Sequence, residues 1–164
     1  MDAIDRVVMN ARLHHLGMAS RTAQPSLKLA VLTCMDARVD PAALLGLHPG
    51  DAHVIRNAGG RATNDALHAL AISQAVLGTR EVLVMHHTEC AMGRMSGADL
   101  AARITAATNH PFHEELSTFT DDATAIAEDV AHIRMYPSLA FRDKVRGFLY
   151  DLTAETLREV VPLG

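Results

Sequence analysis

The sequence lacks the features that mark disulfide-stapled, membrane-spanning, secreted and nucleic-acid-binding proteins. Its 164 residues include only two cysteines, Cys34 and Cys90, which are too few for a disulfide framework. A chain of this length can bury enough surface without such staples, so we expect reduced thiols and a cytoplasmic setting. No apolar run reaches the roughly 18 residues of a membrane span, and the N-terminus MDAIDRVVMN lacks the apolar core of a secretory signal. The formal net charge is −4 and the basic residues are scattered, which argues against a nucleic-acid partner.

Hydrophobic patterning predicts strands that alternate with helices along a single domain of residues 1–164. We expect strands at 27–33, 52–57 and 81–87, and helices at 3–16, 41–46, 65–78, from about 97 to 108, and at 122–135. Gly17 is expected to end the first helix and Asn64 to cap the third. Residues 144–161 are expected to form a strand, a turn, and then a strand or short helix. This order predicts an α/β fold with a mainly parallel central β-sheet flanked by helices, an N-terminal helix and a C-terminal strand region.

Three potential metal ligands follow two of the predicted strands. Cys34 lies at the carboxyl end of the first strand, and His87 and Cys90 lie at the end of the third. Ligands of parallel sheets collect at the carboxyl ends of the strands, so these side chains are expected to share one edge. Thiolate and imidazole are the ligands that zinc prefers, and three protein ligands leave a fourth position open, as in catalytic zinc sites. The spacing favours His87 over the adjacent His86, because neighbouring strand residues point to opposite faces.

Asp36 and Arg38 follow Cys34 at every second position, so both side chains can lie on the same side of an extended chain. A paired arginine favours an ionised aspartate. That carboxylate has two competing roles: it can accept a hydrogen bond from a metal-bound water, or it can bind the metal and block the open position. Residues 36 and 38 alone do not decide between these roles.

A glycine turn forms a third candidate element. Gly59 and Gly60 permit a close approach of the backbone, and the helix amides at 63–66 offer a site for a small anion. We therefore predict that Gly59 and Gly60 contribute to substrate binding.

Plainer interpretations exist for each of these residues. Cys34 alone is most simply a buried core residue. Cys34 and Cys90 could instead form a disulfide in an oxidised, zinc-free state. Asp36 and Arg38 could form a surface ion pair of little consequence.

Four segments resemble the β-class carbonic anhydrases, and the short bacterial members most closely. They are C-M-D-A-R at 34–38, R-N-A-G-G at 56–60, H-x-x-C at 87–90 and G-F-L-Y-D at 147–151. The resemblance implies one Zn²⁺ per chain, bound by Cys34, His87 and Cys90, with Asp36 and Arg38 as the catalytic pair beside the open position. It also implies a homodimer, sometimes paired into a tetramer, with the active-site cleft at the subunit interface. Ala91 departs from the pattern, since glycine usually follows the second cysteine.

The function implied by this resemblance is reversible hydration of CO₂ to bicarbonate and a proton, with zinc-bound hydroxide as the nucleophile. Two alternatives remain open. The same site could hydrolyse COS or CS₂, which are linear relatives of CO₂. A non-catalytic zinc or redox-sensing protein would instead keep Asp36 permanently on the metal.

Overall fold

The computed structural model describes residues 2–14 and 22–164. Its helices are α1 (Ala3–Ala11), α2 (Pro41–Leu45), α3 (Asn64–Ala75), α4 (Ala91–Arg94), α5 (Gly97–Thr108) and α6 (Asp122–Met135). Its strands are β1 (Leu29–Cys34), β2 (Ala52–Asn57), β3 (Glu81–His87), β4 (Val145–Asp151) and β5 (Thr156–Val161), and a short 3₁₀ turn, Ala58–Gly60, follows β2. None of the described helices is both long and apolar enough to cross a membrane.

The five strands form one sheet in the order β2-β1-β3-β4-β5. The first four strands are parallel and β5 is antiparallel to β4. In the register, Cys34 lies opposite Asn57 and His87 lies opposite Tyr150. The carboxyl ends of β1, β2 and β3 therefore meet at one edge of the sheet, and this edge carries the predicted ligands.

The apolar core lies between one face of the sheet and helices α3 and α6. Alternate residues of β1 and β3 face these helices, and the fully buried members of the cluster include Leu32, Val84, Leu67, Leu70, Ile126 and Ile133. Burial of such side chains stabilises the fold by about 1.5–3 kcal/mol each. This packing fixes the position of the sheet relative to α3 and α6.

The predicted α/β fold with a mainly parallel sheet is confirmed, and several elements have the predicted bounds. Strands 52–57 and 81–87 and helices 97–108 and 122–135 begin and end at the predicted residues. The C-terminal segment forms a strand, a turn and a second antiparallel strand, which is the first of the two predicted alternatives. Strand β1 begins two residues later than predicted, because Lys28 adopts a left-handed backbone with φ 53°.

Helix ends account for the remaining differences. Thr63, not Asn64, caps α3, since the Thr63 side chain accepts a hydrogen bond from the Ala66 N–H at 3.4 Å. Helix α3 ends at Ala75, because the chain turns over the next residues to a left-handed Gly78 with φ 78°. Helix α1 ends at Ala11, five residues short of the predicted end at 16. The predicted stop at Gly17 lies outside the described residues.

Candidate metal centre

Cys34, His87 and Cys90 converge in a buried cluster at the carboxyl edge of the sheet. Their potential ligand atoms all lie within 4.8 Å of one another, and the two sulfurs are 3.9 Å apart. The His87 ring is fixed by a hydrogen bond between its Nδ1 and the Thr88 carbonyl at 2.8 Å. His87 Nε2 is buried and has no hydrogen-bond partner among the described residues. One orphaned imidazole nitrogen facing two thiols fits a metal ion with a preference for nitrogen and sulfur ligands.

The two thiols differ in acidity because they lie in contact, and ionisation of one disfavours ionisation of the other. The neighbouring Cys90 thiol, with smaller contributions from the His87 side chain and the backbone amides of Asp36 and Gly59, lowers the pKa of Cys34 well below its usual value despite the opposing effect of burial. The same contact with Cys34 raises the pKa of Cys90, and burial adds to that effect. The pair therefore gives up its first proton readily, and a thiolate is the form of cysteine that binds metals.

Arg56 fixes the loop that follows β1. Its guanidinium donates hydrogen bonds to the backbone carbonyls of Cys34 at 2.9 Å, Asp36 at 2.8 Å and Val39 at 2.9 Å. Three carbonyls on one arginine leave this loop little freedom, so the Cys34 and Asp36 side chains leave the strand end in defined directions.

The glycine turn packs directly against the first ligand. Gly59 and Gly60 are buried, with φ values of 86° and 70°. A Cβ atom on Gly60 would lie 2.9 Å from both the Cys34 nitrogen and the Thr33 carbonyl carbon. The turn therefore packs against the backbone of Cys34. The substrate-binding role of Gly59 and Gly60 stays a prediction. The anion site suggested at amides 63–66 is partly closed, because the Ala66 N–H already donates to Thr63.

We expect Gly60→Ala to lower the free energy of unfolding by about 2–4 kcal/mol, since it adds both an unfavourable φ and a backbone clash. Gly46→Ala is the matched control: Gly46 has φ 65°, but a Cβ there would meet nothing within 4 Å. The control should cost only about 1–2 kcal/mol. Urea unfolding of both variants measures the difference, and equal losses would show that the contact with Cys34 contributes nothing.

Asp36 lies beside the cluster and is clamped by Arg38. Asp36 Oδ1 accepts hydrogen bonds from the Arg38 backbone N–H at 2.9 Å and from Nε at 3.0 Å, and Oδ2 accepts from Nη2 at 2.7 Å. Asp36 Oδ2 is also 3.8 Å from His87 Nε2. The hydrogen bonds from Arg38 hold the pKa of Asp36 well below its usual range, so this carboxylate is ionised at neutral pH.

His86 points to the other side of β3 and takes no part in the cluster. Its Nε2 lies 2.9 Å from Asp129 Oδ2 on α6, and its ring packs against Phe119. Asp129 Oδ1 also accepts hydrogen bonds from the Ala62 N–H at 2.9 Å and from Arg61 Nε at 3.2 Å. This buried group ties α6 to the chain just after the glycine turn. Sequence reasoning missed it, because an aspartate in the middle of a helix gives no signal of its own.

Comparison with known proteins places the chain in a family. The carbonic anhydrase family profile matches residues 29–154. Beta-carbonic anhydrase 1 of Mycobacterium tuberculosis is 37% identical over 138 residues, which cover 84% of this chain and 85% of that protein. A carbon disulfide hydrolase of Acidianus is 30% identical over 157 residues, covering 80% of this chain and 76% of that protein.

Solved structures agree with the sequence comparisons. The crystal structure of a carbonic anhydrase from Streptococcus mutans superposes with a TM-score of 0.89 at 33% identity, and the match covers 98% of each chain. The chain belongs to the β-class carbonic anhydrase family, as its four sequence segments predicted.

Proposed function

We propose that this protein is a zinc-dependent carbonic anhydrase that converts CO₂ and water reversibly to bicarbonate and a proton. One zinc ion per chain would be held by Cys34, His87 and Cys90. The observation that carries the proposal is the convergence of these three side chains with an ionised Asp36 at one strand edge. Three protein ligands would leave a fourth position on the ion open, and the Asp36 carboxylate lies 3.8 Å from His87 Nε2.

The chain's own residues prepare the site for attack on CO₂. Zinc, when bound, supplies a water of lowered pKa that is available as hydroxide near neutral pH. Asp36 would accept a hydrogen bond from this nucleophile and so orient it toward the substrate carbon. Arg38 holds Asp36 in place through two side-chain hydrogen bonds and keeps it charged. A polar pocket of about 280 Å³ lies beside this site and is lined by Glu89, Cys90 and Arg94 among others.

Activity is expected to rise with pH between about 6 and 9 in saturating zinc. Asp36 does not titrate in this range, since its lowered pKa keeps it ionised well below pH 6. The rise therefore reports the ionisation of the water that zinc activates. Stopped-flow CO₂ hydration measures the profile. A flat or falling profile would contradict the proposal, and an absence of activity at every pH would favour the non-catalytic alternative.

A second substrate class is favoured by one comparison. The Acidianus relative is a carbon disulfide hydrolase and matches most of this chain. Hydrolysis of CS₂ or COS would use the same nucleophile and the same Asp36–Arg38 pair. Turnover of CO₂ and CS₂ by one zinc-loaded preparation distinguishes the two, and we expect CO₂ to be the faster substrate.

We further propose that residues 1–164 act as one domain in the cytoplasm, within a homodimer or a tetramer of paired dimers. The exposed apolar side chains of helix α1 support the proposal of an oligomer. None of its residues is buried, and its apolar side chains Ile4, Val7 and Val8 are 71%, 57% and 47% exposed. Such a helix face is typical of a surface that packs against a second subunit. Light scattering after size-exclusion chromatography checks the assembly.

A further inference from the structure

Glu89 occupies an unusual position in the loop after β3. It lies two residues after His87 and directly before Cys90, and its backbone is left-handed with φ 61°. A left-handed backbone is unfavourable for any residue other than glycine, so contacts of the neighbouring residues must hold Glu89 in this conformation. The preceding Thr88 is fixed from the β4 side, because its N–H donates to the Tyr150 carbonyl at 2.9 Å and its Oγ1 accepts from the Leu152 N–H at 3.0 Å.

In this left-handed turn, both the backbone carbonyl and the carboxylate of Glu89 face Arg38. The Glu89 backbone carbonyl accepts a hydrogen bond from Arg38 Nη2 at 3.2 Å, and the Glu89 carboxylate lies 3.5 Å from Nη1. These contacts occupy one edge of the guanidinium. The other edge, formed by Nε and Nη2, faces Asp36. A planar guanidinium that is held along two edges has one defined orientation.

Glu89 is itself held by a second cation. Its other carboxylate oxygen lies 3.3 Å from Arg94 Nη2, just after the Cys90 ligand position. A row of alternating charges therefore lies next to the metal centre and consists of Asp36, Arg38, Glu89 and Arg94. The row joins the loop that follows Cys34 at the end of β1 to the loop that runs from His87, at the end of β3, to Cys90.

We propose that Glu89 is a positioning residue for the hydration reaction: it anchors Arg38, and Arg38 in turn holds Asp36 at the metal centre. This inference rests on the proposed function. Glu89 and Arg38 are 43% and 51% exposed, so their pairing adds little to the stability of the fold. Its effect is on orientation, because a loose Arg38 lets Asp36 leave the position from which it directs the nucleophile.

The test replaces Glu89 with glutamine in the zinc-loaded protein. We expect kcat for CO₂ hydration to fall about fivefold, the size set by one partly exposed ion pair, with KM changed less than about twofold. Exchange of the Arg38 Nε–H with water, followed by ¹⁵N NMR, should become severalfold faster. Glu159→Gln is the matched control, since it removes a Glu–Arg pair with a distance of 2.7 Å on β5, away from the site. Its kcat and its Arg38 exchange should equal those of the wild type.

A second variant separates positioning from a merely structural role. Glu89→Gly suits the left-handed backbone and keeps the carbonyl, so it should be at least as stable as the wild type. We expect it to lose as much kcat as Glu89→Gln. Wild-type kcat in Glu89→Gly, or unchanged Arg38 exchange in Glu89→Gln, would overturn the proposal. If the wild type does not hydrate CO₂, the proposed function fails, and Arg38 exchange alone then decides whether Glu89 anchors Arg38.

Discussion

Replacing His87 with glutamine is expected to remove zinc from the purified protein and to lower kcat/KM for CO₂ hydration more than about 100-fold. Even the residues that only orient a metal ligand commonly contribute 10- to 100-fold. His87 should contribute more, because it is the one imidazole that joins Cys34 and Cys90 in the metal-ligand cluster of the described residues, and its Nε2 has no hydrogen-bond partner there. Metal analysis together with stopped-flow kinetics measures both losses.

The adjacent histidine provides a matched control. His86 is as buried as His87, but it faces Asp129 rather than the two sulfurs. His86→Gln should retain about one zinc per chain and most of its activity, while losing about 1–3 kcal/mol of unfolding free energy through the weakened contact with Asp129. Zinc loss in His86→Gln with zinc retained in His87→Gln would contradict the assignment of the ligand.

Asp36→Asn is expected to lower kcat/KM roughly 100-fold while leaving zinc in place. Asparagine has the shape of aspartate but no charge, so it binds Arg38 less tightly and accepts the hydrogen bond of the nucleophile less well. The loss should therefore appear in the rate and not in the metal content. Kinetics and metal analysis on the same sample separate the two.

Asp40→Asn controls for the substitution itself. Asp40 is exposed and caps α2 through the amides of Ala42 and Ala43, a role that asparagine fills equally well. We expect wild-type activity from this variant. If Asp36 acts mainly by blocking the open metal position, Asp36→Asn would gain activity instead, and this result would reverse the role given to Asp36.

The strand at 81–87 was predictable because most of its residues are buried. Its centre is apolar and includes the β-branched Val82 and Val84, and the structure confirms the predicted bounds. Helix ends were less predictable, since they depend on single hydrogen bonds: Thr63 and Asn64 are both good capping residues, and only the geometry of the chain selects Thr63. The position of Cys34 relative to His87 followed from the parallel order of the strands.

The surroundings of the candidate ligands could not be predicted from the sequence. Arg56 holds three carbonyls of the loop after β1, a contact that depends on β2 lying beside β1. Glu89 reaches Arg38 across 51 residues of sequence, through a left-handed turn that no turn residue such as glycine announces. Sequence motifs indicated the candidate ligands and the Asp36–Arg38 pair, whereas the contacts that orient them come from tertiary packing.

The most direct test of the proposed function is a titration of zinc into the metal-free protein, with CO₂ hydration followed by stopped flow at pH 8. If Cys34, His87 and Cys90 hold the one catalytic ion, activity will rise in proportion to added zinc and stop rising at one equivalent per chain. Full activity before zinc is added, or a rise that does not break near one equivalent, would contradict a single zinc-dependent site.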